Sequence, residues 1–232
     1  MSFSSKTDRA PIDAETGGQG QRHRIELELK TLADVGLIGF PNAGKSSLLA
    51  AVSPARPKIA SYPFTTLHPH IGVVPWEFHD SFTIADIPGL IEGAHENVGL
   101  GHTFLRHVER AKVLAYVLDL AGVDGRDPWS DLCVLREELE KYLPGLSRRA
   151  MLILANKTDL PQAEEGLKHL KFQLGQMEER DGPNSLTRAR LVGISCNARQ
   201  GLDEAVAAMY ESVVNRRNVR YDERTGAALE WP

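Results

Sequence analysis

The stretch that most constrains this chain is Gly39-Phe40-Pro41-Asn42-Ala43-Gly44-Lys45-Ser46, because of what stands on either side of it. Before it runs Ala33-Asp34-Val35-Gly36-Leu37-Ile38, a nearly continuous apolar run of the kind expected of a strand covered on both faces. After it, Lys45–Val52 suits a helix. Strand, glycine-bounded turn and helix start, in that order, aim several backbone N–H groups at one point. The positive end of the helix dipole favours an anion there as well. Glycine is needed wherever a side chain would collide with what the loop holds. The pattern GxxxxGKS is therefore read as a phosphate cradle lined by Gly39, Pro41, Asn42, Ala43, Gly44, Lys45, Ser46 and Ser47. Lys45 would reach the β- and γ-phosphates, and Ser46 would ligate magnesium.

The rest of the pattern agrees with an α/β fold. Arg24–Lys30 alternates apolar and charged residues, as a half-buried strand does. His70–Pro75 and Ser81–Asp86 are rich in β-branched and aromatic residues, and Trp76–Asp80 suits a hairpin connection between them. Val113–Leu120, Ala150–Asn156 and Arg190–Ser195 read as further strands. Helical material is expected at Leu100–Lys112, at Trp129–Leu143 and at Leu202–Asn215. Asp127 is placed to cap the second of these, and Pro128 fits its first turn. The polar segment between Gln173 and Arg190, with its glycines and proline, is expected to be a loop. Strands alternating with helices imply a P-loop NTPase-type, mostly parallel sheet with helices on both faces.

Each remaining motif falls at the end of an expected strand. Asp86-Ile87-Pro88-Gly89 offers a carboxylate for magnesium and, at Gly89, an N–H for a γ-phosphate. Asn156-Lys157-Thr158-Asp159-Leu160 offers a base-reading loop. The two oxygens of Asp159 match the N1–H and N2–H₂ donors of guanine, a pair that adenine lacks. Asn156 can bond the Hoogsteen edge of the purine, and the aliphatic stem of Lys157 can cover base and sugar. Ser195-Cys196-Asn197 is placed to meet the guanine O6 with a backbone N–H. Tyr62-Pro63-Phe64-Thr65-Thr66 lies between the cradle helix and the next strand, and Thr66 is favoured over Thr65 as a magnesium ligand. GTP or GDP with Mg2+ is the expected ligand, and Lys45, Thr66 and Gly89 are the groups expected to act on the γ-phosphate.

Together these segments resemble the P-loop GTPases from roughly Ala33 to Asn215. The strings Ala33 to Ser46, Tyr62 to Leu67, Asp86 to His95, Gly99-Leu100-Gly101 and Leu105 to Arg110 narrow the resemblance to the Obg family. That resemblance implies a switch acting in assembly of the large ribosomal subunit. It also implies a glycine-rich N-terminal domain, of which only the tail, about Gly17 to Lys30, is expected here. The expected organisation is a lead-in at 1–31, a GTPase domain at 32–220 and a tail at 221–232.

Ras-type GTPases orient the attacking water with a glutamine after the DxxG glycine. This chain has Leu90 there, so intrinsic hydrolysis is expected to be slow. Asn42 offers a partial substitute: the resemblance to GTPases with this asparagine implies a potassium ion between it and the phosphates. Residues 55–67 and 87–101 are the expected moving parts. A nucleotide-sensing adaptor with negligible hydrolysis and an ATP-using P-loop kinase or ATPase are the alternatives, the second opposed by Asp159.

Formal net charge is −4, which disfavours nucleic-acid binding through bulk positive charge. Arg106, Arg110 and Lys112 on one expected helical segment, and Arg216, Arg217 and Arg220 near the end, are read as solvated faces that ribosomal RNA could use. His68, His70, His95, His102 and His107 lack metal-site spacing. Cys133 and Cys196 are read as packed cysteines of a reducing compartment. No apolar run reaches the ~20 residues of a membrane helix. Residues 1–20 lack the apolar core of a secretory signal and carry acids that transit peptides avoid. A monomer is expected. Asp127-Pro128-Trp129 and Leu229-Glu230-Trp231 look similar to mitochondrial members, so the mitochondrial matrix is favoured over a bacterial cytoplasm.

Overall fold

The computed structural model describes residues 33–54, 58–59, 70–77, 80–87, 110–181, 189–217, 220–221 and 228–229, with 18, 20, 22 and 23. Its centre is a seven-stranded sheet of β1 (Ala33–Ile38), β2 (Lys58–Ile59), β3 (His70–Pro75), β4 (Ser81–Asp86), β5 (Ala111–Asp119), β6 (Ala150–Asn156) and β7 (Arg190–Gly193). The strand order is β2-β3-β4-β1-β5-β6-β7. The five strands from β4 to β7 in that order run parallel, while β2 and β3 form an antiparallel edge. The fold is thus α/β, as the alternation of elements predicts.

Among the described residues two helices cover each face. α1 (Lys45–Val52) and α4 (Leu202–Arg217) pack on one side, against Val35, Leu37, Val113, Val117, Leu154 and Ile194. α2 (Pro128–Tyr142) and α3 (Ala163–Asp181) pack on the other, against Ile38, Leu114, Tyr116, Leu118 and Ile153. Period-two alternation along β5 divides Leu114, Tyr116 and Leu118 from Val113, Ala115 and Val117, so one strand feeds both cores. A two-stranded ribbon, β8 (Arg220–Tyr221) with β9 (Ala228–Leu229), follows α4.

Local chemistry explains the boundaries. Asp127 accepts a hydrogen bond from the Ser130 N–H at 2.8 Å, and Pro128 opens α2 where no intrahelical donor is needed. The β3–β4 hairpin is pinned from outside: Trp76 stacks on Tyr210 of α4 with ring centroids 4.8 Å apart, and the Tyr210 hydroxyl donates to Asp80.

The structure departs from the sequence reading in several places. The segment from Gln173, expected as a loop, continues α3 to Asp181. Leu167, Leu170, Leu174 and Met177 keep helical spacing onto the α2-side core despite Gly166 and Gly175. The expected helix Leu100–Lys112 does not reach its stated end, because Ala111 and Lys112 already belong to β5. Ala111 pairs with Ala33, and Lys112 Nζ donates to Asp34 at 2.8 Å. Lys112 is therefore tied into the sheet and does not extend a helical basic face. The last strand of the sheet stops at Gly193, and Ser195 instead pairs back with Gln200. Within the expected mobile segment 55–67, Lys58–Ile59 forms strand β2 against β3. The expected strand Arg24–Lys30 and helical residues 100–109 lie outside the described residues.

Candidate functional site

The cradle begins with a close approach. A Cβ on Gly39 would lie 2.4 Å from the Val117 carbonyl oxygen, so the residue leaving β1 is held against β5 and must be glycine. Asn42 and Gly44 then take left-handed backbone angles, φ 60° and 100°. Asparagine tolerates that region better than most side chains, and glycine enters it freely. The loop folds back on itself, with the Ala43 N–H on the Phe40 carbonyl at 3.3 Å. α1 opens at Gly44 with no side-chain cap and no acid in its first turn, which leaves its N-terminal donors available to an anion.

Lys45 is buried, and its ammonium donates to the Gly39 and Phe40 carbonyls at 2.8 and 2.9 Å. Burial pulls its pKa below the usual lysine range, while the Asp86 carboxylate works the other way. In this arrangement Lys45 braces the loop whose contents it is expected to contact. Across the cradle, the Ser46 hydroxyl donates to Asp86 Oδ2. Asp86 itself is buried, and its Oδ1 has no hydrogen-bond partner among the described residues. An orphaned buried carboxylate oxygen beside a hydroxyl fits a divalent cation such as Mg2+, which prefers oxygen ligands.

The segment after β6, expected to read a base, is fastened to the glycine loop by Asn156. Its Nδ2 donates to the Ala43 carbonyl at 2.8 Å, and its Oδ1 accepts from the Cys196 N–H at 3.4 Å. Asn156 is thus buried as a strut between three loops, and one of its two amide hydrogens is used in doing so. A Cβ on Gly44 would sit 2.1 Å from Asn156 Nδ2, so strut and loop are built to fit each other.

Beyond the strut the chain turns out at Lys157, φ 68°, and the Lys157 ammonium pairs with Asp119 at 2.6 Å. Asp159 stands exposed, with Oδ1 accepting from the buried Ser195 hydroxyl at 2.5 Å. Ser195 in turn accepts from the Ala198 N–H at 2.9 Å, which fixes its direction. One carboxylate oxygen is therefore oriented by Ser195 while the side chain faces solvent. Asn42, Gly44, Ser47, Asn156, Lys157, Asp159, Cys196 and Asn197 together line a cleft of about 80 Å³. Burial pushes the Cys196 thiol up to about 11, so it is a neutral wall of that cleft rather than a nucleophile.

Residues 34–157 match the family described as 50S ribosome-binding GTPase. This chain belongs to that GTPase family. Its relatives include GTPase Obg of Heliobacterium modesticaldum, 51% identical over 91% of this chain and 48% of that protein. GTPase Obg of Geobacillus kaustophilus is 46% identical over 98% of this chain and 50% of that protein. The chain spans about half the length of the curated relatives it matches. The fold is shared with the G domain of the T. maritima FeoB iron transporter, at TM-score 0.56 and 20% identity, covering 77% of this chain and 96% of that one. An S. thermophilus NFeoB mutant bound to GDP gives the same TM-score and identity, over 83% of this chain and 68% of that one.

In this chain the structure brings Gly39, Pro41, Asn42, Ala43, Gly44, Lys45, Ser46, Ser47, Asp86, Asn156, Lys157, Asp159, Leu160, Ser195, Cys196 and Asn197 to the carboxyl ends of β1, β4, β6 and β7. Phe64, Thr65, Thr66, Gly89 and Leu90 lie outside the described residues. So do His68, His95, His102, His107 and Arg106, and so do the side chains of Arg216, Arg217 and Arg220. Among the described residues no helix is long and apolar enough to cross a membrane. Three residues that sequence reasoning passed over also reach the site. Asp119 ends β5 and pairs with Lys157, Asp124 accepts from Asn42 Nδ2 at 3.2 Å, and the Arg126 guanidinium lies 3.8 Å over the Phe40 ring. The rule that pointed to Asp86 and Asn156, a polar residue at a strand end, applies equally to Asp119.

Proposed function

We propose that this chain binds GTP and GDP and hydrolyses GTP to GDP and phosphate, serving as a switch in assembly of the large ribosomal subunit. The observation that carries this reading is the Asn156 strut. It joins a phosphate-type loop to an exposed, Ser195-oriented carboxylate, so one ligand with phosphates at one end and a guanine at the other would satisfy both. Asp159 would accept from the two guanine donors. Lys45 would transfer part of its attention from the Gly39 and Phe40 carbonyls to the β- and γ-phosphates.

Ser46, Asp86 and Thr66 would hold Mg2+, which neutralises phosphate charge as the γ-phosphoryl leaves. Gly89 would offer its N–H to the γ-phosphate. Leu90 has no hydrogen-bonding group with which to orient water, so a slow intrinsic rate follows. Asn42 would supply a carboxamide oxygen to K+ beside the developing charge. Segments 55–67 and 87–101 would be ordered by the γ-phosphate and released after hydrolysis.

Leu90 also favours the second reading, an adaptor that senses GTP and GDP and scarcely turns either over. Calorimetry with GTP, GDP and ATP tests the binding reading. Heat for the guanine nucleotides alone supports it, and silence for them defeats it. Turnover measured with and without large ribosomal subunits separates switch from adaptor, because only the switch is accelerated.

The organisation that goes with this reading is a lead-in at 1–31, a GTPase domain at 32–220 and a tail at 221–232, acting as a monomer. The bacterial relatives support a bacterial cytoplasm over the mitochondrial matrix. Asp127-Pro128, one of the likenesses to mitochondrial members, has a local duty as the cap of α2.

A further inference from the structure

The loop between β5 and α2 is built as a fixed arm against the cradle. Asp119, where β5 ends, accepts from the Ala121 and Val123 N–H groups at 3.0 and 3.2 Å. Gly122 and Gly125 take left-handed angles, φ 57° and 73°, and a Cβ on Gly122 would lie 2.7 Å from the Arg126 carbonyl oxygen. At the far end Arg126 is clamped twice, by Asp131 at 2.7 Å and by the Phe40 ring at 3.8 Å. Phe40 belongs to the cradle, so the arm is held to the very loop it touches. Its tip is Asp124, and Asp124 Oδ2 accepts from Asn42 Nδ2.

A carboxamide has one donor end and one acceptor end. With its nitrogen committed to a carboxylate, the Asn42 oxygen must face the other way. Among the described residues nothing donates to that oxygen. A carboxylate accepts only, so it selects one of the two ways an asparagine amide can point. An amide of the opposite hand would place two oxygens against each other.

We propose that Asp124 is a positioning residue that sets the Asn42 carboxamide with its oxygen toward a monovalent cation at the phosphates. This rests on the reading of Asn42 as a potassium ligand and adds the group that makes it one. Asp124 touches neither nucleotide nor cation in this role. It acts through Asn42.

The test titrates KCl against NaCl at constant ionic strength and follows two signals. One is GTP turnover, and the other is formation of the complex of fluorescent GDP with aluminium fluoride, which requires no turnover. Wild type is compared with Asp124→Ala and Asp124→Asn, and GDP affinity and thermal melting confirm that each is folded. The expected result for Asp124→Ala is a half-activating potassium concentration raised about three- to tenfold in both signals, the range of one exposed hydrogen bond. Asp124→Asn can still accept from Asn42 through its amide oxygen, so it is expected to restore most of the wild-type value. A potassium response in wild type that Asp124→Ala leaves unchanged overturns the positioning role and spares the potassium reading. Asp124→Asn behaving like Asp124→Ala overturns it too, since charge and not amide orientation then matters. Equal wild-type signals in potassium and sodium remove the potassium reading and this inference together.

Discussion

Replacing Asn156 by alanine tests whether the site is one unit. The substitution deletes a buried 2.8 Å hydrogen bond to Ala43 and a longer 3.4 Å bond from the Cys196 N–H. The first contributes about 1–1.5 kcal/mol and the second about 0.5 kcal/mol, so Asn156→Ala is expected to cost about 2 kcal/mol of stability. In a chain of this size that lowers the melting temperature by about 4–8 °C. Gly44→Ala reaches the same strut from the other side. Alanine at φ 100° costs about 1–2 kcal/mol by itself. Its Cβ, 2.1 Å from Asn156 Nδ2, also evicts the carboxamide and forfeits about the same 2 kcal/mol. With Asn156 already removed, only the backbone cost of Gly44→Ala remains. The double variant is therefore expected to be about 2 kcal/mol more stable than the sum of the singles predicts. Urea unfolding of all four proteins measures this, with a constant m-value as the check that the denatured state has not changed. Calorimetry with GDP follows function, and Asn156→Ala is expected to weaken binding about tenfold through lost preorganisation. Additive stabilities within about 0.5 kcal/mol would refute the idea that strut and loop share one contact.

Three further outcomes can be checked. At Asp34, burial works to raise the carboxyl pKa, but the Lys112 ammonium and the Thr83 N–H and hydroxyl override it and hold it below the usual carboxylate range. Its contribution is therefore complete above the unfolded pKa, about 3.9, and is lost as pH falls through the lower folded value. Asp34→Asn is expected to cost about 1–2 kcal/mol at neutral pH, with the gap closing below about pH 4 in urea melts. The raised Cys196 thiol is expected to alkylate at pH 8 on the order of a hundred times more slowly in the native protein than in urea, read by mass spectrometry. Gly166→Ala would bring a Cβ within 2.2 Å of the Leu120 carbonyl oxygen. It is expected to cost about 2–3 kcal/mol in chemical denaturation, although alanine is ordinarily the better helix former.

Much of this fold can be read along the chain because its strands carry their own pattern. β1, β3, β4 and β6 lie where apolar runs end in Gly, Pro, Asn or Asp, and α1 follows directly from the glycine loop. Asp86 and Asn156 stand where parallel strands stop, and Lys157, Asp159 and Ser195 follow within three residues of such an end, which is what makes these positions conspicuous along the chain. What was not legible depends on contacts between distant segments. The direction of the Asn156 amide is set by Ala43, which is 113 residues away in sequence. Lys112 belongs to β5 because Asp34 meets it across the sheet, a partner no local window contains. The segment from Gln173 reads as a loop because it is polar and holds Gly175, Gly182 and Pro183, whereas tertiary packing of Leu174 and Met177 carries α3 on to Asp181. Gly166 is there because α3 runs so close to the end of β5 that no side chain fits.

The register of the sheet has a metrical consequence. The cradle hangs from β1 and the base loop from β6, with β5 between them. Two interstrand spacings, about 10 Å, therefore set the gap that the two ends of the proposed ligand would span. Hydrogen-bonded strands hold that gap like a gauge block, whatever the neighbouring segments do. On the proposed reading, a guanosine stripped of phosphates would fill one jaw and pyrophosphate the other. Either fragment alone forgoes the high effective concentration that comes from having both ends on one molecule.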